Sequence, residues 1–225
     1  MNALNIGIVS LGCAKNLVDT EAMLGILGHK GFRIVADPQE ADVIIVNTCA
    51  FIDTAKEESI QTILEMAAYK EKRCRLLIVS GCMAERYHDE ILAELPEVDA
   101  VVGTGDYHKI AEVIARAYAG EKVVLFGHMN EALPEEVRML STPGYMAYIK
   151  IADGCDNHCT YCIIPKLRGT YRSRPMEHIV EEAAALAAGG VRELVVIAQD
   201  TSRYGIDLYG TYRLPELLRR LCAID

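Results

Sequence analysis

Nowhere does the sequence reach the roughly 18 consecutive apolar residues that a membrane-spanning helix needs, which sets aside a helical membrane protein. Its opening residues, Met1 to Ser10, hold neither a basic cluster nor a long apolar core, so they do not read as a secretory signal. Positive charge is scarce too. The 23 Lys and Arg stand against 32 Asp and Glu, and a net charge of −9 gives no bulk reason for tight binding to a phosphate backbone. Low-complexity tracts are missing, and with 51% apolar residues a disordered or fibrous chain is excluded. The 225 residues suffice for one large or two ordinary globular domains. The expectation is a cytoplasmic protein with no membrane partner.

Against these absences stand eight cysteines. A reducing compartment disfavours structural disulfides, so that number directs attention to metal binding or redox chemistry.

From Asn5 to about Leu125, short β-branched runs alternate with amphipathic stretches, the pattern of a parallel α/β sheet. Strands are expected at residues 6–10, 43–47, 76–80, 100–102 and 123–125. Helices are expected at 19–28, 54–69, 84–95 and 107–118, with Asp19, Asp53 or Thr54, and Asp106 as N-caps. Residues 1–126 thus read as a flavodoxin-like or Rossmann-like domain. Residues 127–144, with Pro134, Ser141, Thr142, Pro143 and Gly144, break the periodicity and read as a linker. Residues 145–225 resume βα alternation, with strands at 145–151 and 193–198 and helices at 176–188 and from 215 to 222. At about 30 residues per strand–helix unit, this second domain supplies fewer than three units of an eight-unit barrel. An unclosed parallel sheet exposes an edge and an apolar face, so the chain is expected to be a fragment of a longer protein or to need a partner to finish that domain.

Cys155, Cys159 and Cys162 form Cys-x3-Cys-x2-Cys directly after a predicted strand. Three thiolates on one loop can hold three corners of a [4Fe–4S] cube, and the lack of a fourth nearby cysteine leaves one iron open to a ligand. The alternative is a structural zinc loop completed by His158 as Cys3His. Cys-x3-Cys is unusual within a zinc knuckle, and His158 directly precedes Cys159, so the iron–sulfur reading is favoured while spacing leaves both open.

Cys13, Cys49 and Cys82 are far apart, yet each lies two or three residues past a predicted strand, in Ile8-Val-Ser-Leu-Gly-Cys, Ile45-Val-Asn-Thr-Cys and Ile78-Val-Ser-Gly-Cys. The carboxyl ends of parallel strands share one edge, where such folds bind ligands, so the three thiols can converge on a second cluster. The plainer reading makes them small buried hydrophobes. Gly12 and Gly81, each just before a cysteine, permit close backbone approach and favour ligation. Cys74 and Cys222 lack that context and read as ordinary core or surface thiols. Tyr161 has two equal readings, loop packing or a cover for the adenine of a nucleotide. Lys166, Arg168, Arg172 and Arg174 read first as a solvated basic stretch and second as a steering patch for an acidic or nucleic-acid partner.

With an aromatic before its last cysteine, the Cys155–Cys162 loop resembles the radical S-adenosylmethionine (SAM) loop, and with Cys13, Cys49 and Cys82 ahead of it the chain resembles the radical SAM methylthiotransferases. The segments Ser10-Leu-Gly-Cys-Ala-Lys-Asn-Leu-Val-Asp, Asn47-Thr-Cys-Ala-Phe-Ile-Asp-Thr-Ala-Lys-Glu-Glu-Ser and Gln199-Asp-Thr-Ser-Arg-Tyr-Gly resemble the RimO-type branch, which acts on a small-subunit ribosomal protein. The branch that modifies transfer-RNA adenosine usually carries Gly-Gln-Asn-Val near the last of these, which is absent.

The resemblance implies two [4Fe–4S] clusters, on Cys13, Cys49 and Cys82 and on Cys155, Cys159 and Cys162, with SAM chelated by the open iron of the second. It also implies methylthiolation of the β-carbon of an aspartate in small-subunit ribosomal protein twelve, and a reductant such as flavodoxin or ferredoxin. Residues 145–225 would be the first part of a radical SAM barrel, preceded by a cluster-binding domain. A transfer-RNA enzyme and a non-catalytic metal-binding fragment are the competing readings. The family's remaining barrel and TRAM domain have no counterpart in these 225 residues, so the chain alone is expected to bind clusters and to be inactive.

Overall fold

The computed structural model describes residues 4–131 and 138–224. The chain divides into two compact units, one reaching to Glu131 and including Arg138 and Met139, the other running from Leu140 onward.

In the first unit the order is β1 (Asn5–Ser10), α1 (Ala14–His29), β2 (Arg33–Ile34), β3 (Val43–Thr48), α2 (Asp53–Ala67), β4 (Leu76–Gly81), α3 (Cys82–Glu94), β5 (Ala100–Val102), α4 (Ile110–Tyr118) and β6 (Val123–Leu125). The strands form one sheet in the order β2-β1-β3-β4-β5-β6, every neighbouring pair parallel. Strand order reverses at β1, which opens a crevice at the carboxyl ends of β1 and β3, the usual ligand position in such sheets. The fold is α/β, as the alternation of β-branched runs and amphipathic stretches requires.

Both faces of β3 and β4 are buried, which explains why these strands read as unbroken apolar runs rather than alternating ones. One face packs Ile6, Val43, Ile45, Ile78 and Val102 against Met23, Ile26 and Leu27 of α1 and Ile110, Val113, Ile114 and Ala117 of α4. The spacing of those α4 residues is that of one helical stripe. Ile63 of α2 and Ile91 of α3 are buried as well, on helices that contact β3, β4 and β5.

The expected strands of this unit match within a residue at each end. The helix starts do not. α1 begins at Ala14, five residues before the expected cap, so Asp19 is an interior, buried residue and Cys13 holds the N-cap position. α1 is buried almost all round from Asn16 to Leu27, so it lacks the polar stripe that marks an amphipathic helix. Its inward polar groups are partnered instead: Thr20 hydrogen-bonds Ser10, and Glu21 takes the buried Arg138 guanidinium at 2.8 Å. α2 starts at Asp53 with Ile52 as its cap, so neither Asp53 nor Thr54 is the N-cap. α3 starts at Cys82, not at 84, and is kinked at Tyr87. Asp106 precedes a short 3-10 turn, Tyr107–Lys109, without a side-chain cap bond, and instead pairs with Lys109 and His128. Of the segment expected as a linker, 132–137 lies outside the described residues, while Met139 bonds the Glu21 carbonyl through its backbone N–H.

The second unit comprises β7 (Met146–Lys150), β8 (Ala152–Asp153), α5 (Ile164–Arg168), β9 (Arg172–Ser173), α6 (Met176–Ala188), β10 (Glu193–Ile197), α7 (Ile206–Tyr209) and α8 (Leu214–Leu221). β7 and β10 are parallel partners, and β8 pairs antiparallel with β9. Its core gathers Ile149, Ile151, Met176, Ile179, Ala183, Tyr204 and Leu217. The two-residue strands β8 and β9 were not expected, being too short to show any period.

Candidate functional site

The carboxyl edge of the first sheet carries three cysteines on three consecutive turns. Cys13 lies three residues past β1 and is exposed, Cys49 follows β3 directly and is buried, and Cys82 opens α3 directly after β4 and is buried. Two glycines make the turns possible. Gly12 has φ +87°, and a Cβ there would stand 2.7 Å from Cys49 Cβ and 3.1 Å from its Sγ. Gly81 has φ +90°, and a Cβ there would meet Asn47 Oδ1 at 2.3 Å and the Thr48 carbonyl at 2.6 Å. Only glycine suits both the left-handed backbone and the contact at these two positions.

Polar side chains behind the turns complete the arrangement. Asn16 Nδ2 donates to the carbonyls of Leu11 (3.1 Å) and Thr48 (2.8 Å), and Cys82 Sγ donates to Asn16 Oδ1 at 3.7 Å. Asn47 Nδ2 donates to the Asn16 carbonyl and to Thr20 Oγ1. Ser59, buried on α2, bonds both the N–H and the carbonyl of Cys49. One turn into α3, buried Glu85 accepts from the Thr104 N–H at 3.0 Å, and burial pushes its carboxyl pKa up despite that bond. Ser80 Oγ, two residues before Cys82, is buried with no hydrogen-bond partner.

In the second unit the loop between β8 and α5 carries Cys155 and Cys162, both half-buried, and the exposed Cys159. Gly154 turns the chain with φ +76°, and a Cβ there would lie 1.9 Å from the Thr170 carbonyl. Cys155 N–H bonds the Gly169 carbonyl at 3.0 Å, Cys162 N–H the Cys159 carbonyl at 2.9 Å, and Asp156 accepts from Tyr171 N–H at 3.0 Å. Asn157 lies between Asp200 and Arg203 and bonds both. Tyr161 is 87% exposed, which overturns its loop-packing reading. His158 is exposed, with φ +49°.

Beneath this loop Asp153 is buried and saturated. Its Oδ2 accepts from Lys150 Nζ (3.0 Å) and Arg168 (3.1 Å), its Oδ1 from Gly154 N–H and Gln199 Nε2 (2.9 Å each). Burial alone would raise its pKa, but Lys150 and Arg168 hold it well below the usual carboxylate range. The same contacts correct the reading of the basic stretch as a solvated or partner-steering surface. Arg168 and Arg174 are internal, the latter on Glu182 at 2.6 Å and on the Lys150 carbonyl, and desolvation lowers the pKa of half-buried Arg172. Only Lys166 of the four is exposed.

Among the described residues no group of three or more Cys, His, Asp or Glu side chains is arranged to hold a single metal ion. Cys74 stands apart from both loops, buried on the Leu76 carbonyl, and burial pushes its thiol pKa up. Alkylation of the metal-free protein with iodoacetamide is therefore expected to label exposed Cys13, Cys159 and Cys222 first, and Cys74 at least about tenfold more slowly. Equal labelling of Cys74 and Cys222, read by peptide mass, would contradict that burial.

Residues 5–103 match the uncharacterized protein family UPF0004, and residues 149–225 match the radical SAM superfamily. The chain is 54% identical over 222 residues to the ribosomal protein uS12 methylthiotransferase RimO of Thermoanaerobacter sp. (strain X514), covering 98% of this chain and 51% of that protein. To the RimO of Lachnoclostridium phytofermentans it is 56% identical over 226 residues, covering 99% and 51%. The chain thus spans about half the length of the curated relatives it matches. Among solved structures, the radical SAM methyltransferase TsrM from Kitasatospora setae, with cobalamin and a [4Fe–4S] cluster bound, aligns at TM-score 0.64 and 12% identity over 97% of this chain and 52% of that one. The cobalamin-dependent SAM radical enzyme OxsB aligns at TM-score 0.58 and 9% identity over 98% and 37%. At such identities these two speak for the fold alone. With a UPF0004 segment followed by a radical SAM segment, and identity above one half along nearly its entire length, the chain is similar to about half the length of the RimO-type radical SAM methylthiotransferases.

Proposed function

We propose that Cys155, Cys159 and Cys162 hold a [4Fe–4S] cluster that binds SAM, that Cys13, Cys49 and Cys82 hold a second, and that the longer protein containing this chain methylthiolates an aspartate β-carbon of ribosomal protein uS12. The observation that carries this reading is the placement of three cysteine turns, two of them shaped by glycine, along one sheet edge, in a chain that also bears a three-cysteine loop.

The donor set suits the group. Three soft thiolates at each place match iron–sulfur chemistry and leave one iron without a protein ligand. The unpartnered buried Ser80 hydroxyl supplies a polar group beside the first set. When bound, the clusters and SAM would supply reductive radical generation at one site and sulfur delivery at the other.

What the chain itself contributes is position. Gly154 and the bonds of Cys155, Asp156 and Asn157 pin the radical SAM loop to residues 169–171, just ahead of β9, and to the turn after β10. Exposed Tyr161 is the residue we assign to cover the SAM adenine, an aromatic face free to accept one. A flavodoxin- or ferredoxin-like protein is the proposed electron source. The cytoplasm is the proposed location, since thiol ligands need a reducing compartment. No helix among the described residues is long and apolar enough to cross a membrane.

The test supplies a version of the relatives' full length with SAM and a reductant, and offers it uS12 and transfer RNA in parallel. A methylthio group on a uS12 aspartate is the expected product. Its appearance on transfer-RNA adenosine would move the protein to the other branch, and SAM left intact by a cluster-loaded full-length protein would refute the radical reading.

A further inference from the structure

We propose that Asn16 is the positioning residue of the first cluster site: its single buried carboxamide sets the three cysteine-bearing turns in register. The inference rests on the reading of Cys13, Cys49 and Cys82 as ligands.

The three turns come from strands far apart in sequence, and their backbone leaves the sheet ladder just before each cysteine. Carbonyls at such a place need new donors, because a buried C=O without one is costly. Asn16, fully buried in the first turn of α1, provides them. One N–H of its amide meets the carbonyl of Leu11, two residues before Cys13, and the other meets the carbonyl of Thr48, directly before Cys49. A primary amide has two N–H donors, and both are spent on these acceptors. Its orientation is therefore determined, nitrogen toward the carbonyls and oxygen toward the third turn, where Cys82 Sγ lies 3.7 Å from Oδ1. The backbone carbonyl of Asn16 is in turn held by Asn47, at 2.8 Å. One side chain thus touches the turns of all three cysteines. Aspartate, of the same size, has no N–H for the two carbonyls, and alanine touches none of the three turns.

The experiment uses the full chain carrying Cys155→Ala, so that only the first site can load, and reads iron per chain and the EPR spectrum of the reduced protein after anaerobic reconstitution. Asn5→Ala is the control. It removes the same side chain from the opposite end of β1, where Asn5 Nδ2 bonds the Glu40 carbonyl at 2.8 Å. The parent is expected to hold about four irons, Asn16→Ala and the isosteric Asn16→Asp below about one, and Asn5→Ala about four, even where its thermal midpoint falls as far. About four irons with the parent's spectrum in either Asn16 variant overturns the inference, as does equal iron loss in Asn5→Ala. Loss of the parent's far-UV circular dichroism in both Asn16 variants, with Asn5→Ala folded, overturns it in favour of a purely structural role. A parent that takes up no iron overturns the ligand reading itself and this inference with it.

Discussion

Anaerobic reconstitution with iron and sulfide is expected to load about eight irons and eight sulfides per chain, and Cys13→Ala or Cys155→Ala is expected to remove about half of each. The reasoning is that each thiol set is built wholly within one compact unit, so loss of one leaves the other intact. Independent sites add, so the double variant should hold almost none. Cys74→Ala and Cys222→Ala serve as controls and should leave the count unchanged, since Cys74 is committed to the Leu76 carbonyl and Cys222 lies at the end of α8. Four irons in the unaltered chain would mean that one set does not load, and the Cys13→Ala and Cys155→Ala variants would tell which. Stoichiometric zinc without iron would restore the Cys3His reading of the second loop, and His158→Ala would then release the metal.

The cysteine turns were legible in the sequence because glycine and a strand end are local signals. Val-Ser-Leu-Gly-Cys and Val-Ser-Gly-Cys each announce a β-branched run, a tight turn and a thiol within a few residues. What held the turns was not legible. Asn16 lies on α1 and Asn47 on β3, and nothing local distinguishes a carboxamide that bridges buried carbonyls from one that faces water. The same failing moved the start of α1. Asp19 looked like a cap because polar residues usually stand outside a core, whereas Asp19, Thr20 and Glu21 are all buried, and Thr20 and Glu21 have partners on distant segments. The basic stretch misled in the same way, since Arg168 and Arg174 find carboxylates at Asp153 and Glu182. Periodicity reports which face is apolar, but not which charges are paired inside. The strands β2, β8 and β9 escaped for another reason: two residues cannot display an alternation.

Asp153→Asn is expected to destabilise the second unit by about 3–5 kcal/mol, the cost of leaving a buried ion pair without one partner. The substitution keeps the shape but withdraws the charge that Lys150 and Arg168 share, and both cations are themselves almost completely buried, at 5% and 3% side-chain exposure. An asparagine there would also turn its NH2 group toward two of the four donors that now all find oxygen. For a domain of this size the loss corresponds to a fall of roughly 12 °C or more in thermal midpoint. It should be confined to the second unit's transition in calorimetry, with the first unit's unchanged. The pH dependence fixes the cause. Asp153 has its folded pKa held below the ordinary value, so its contribution is fully present above about pH 4 and is lost as pH falls from there toward the depressed folded pKa. The gap between parent and variant should therefore be constant near neutrality and close in stronger acid. A gap that persists undiminished in acid would assign the loss to packing rather than charge. Because Gly154 and Cys155 follow directly, the same variant should also weaken iron loading on the second loop while sparing the first, which ties the buried charge to the site it supports.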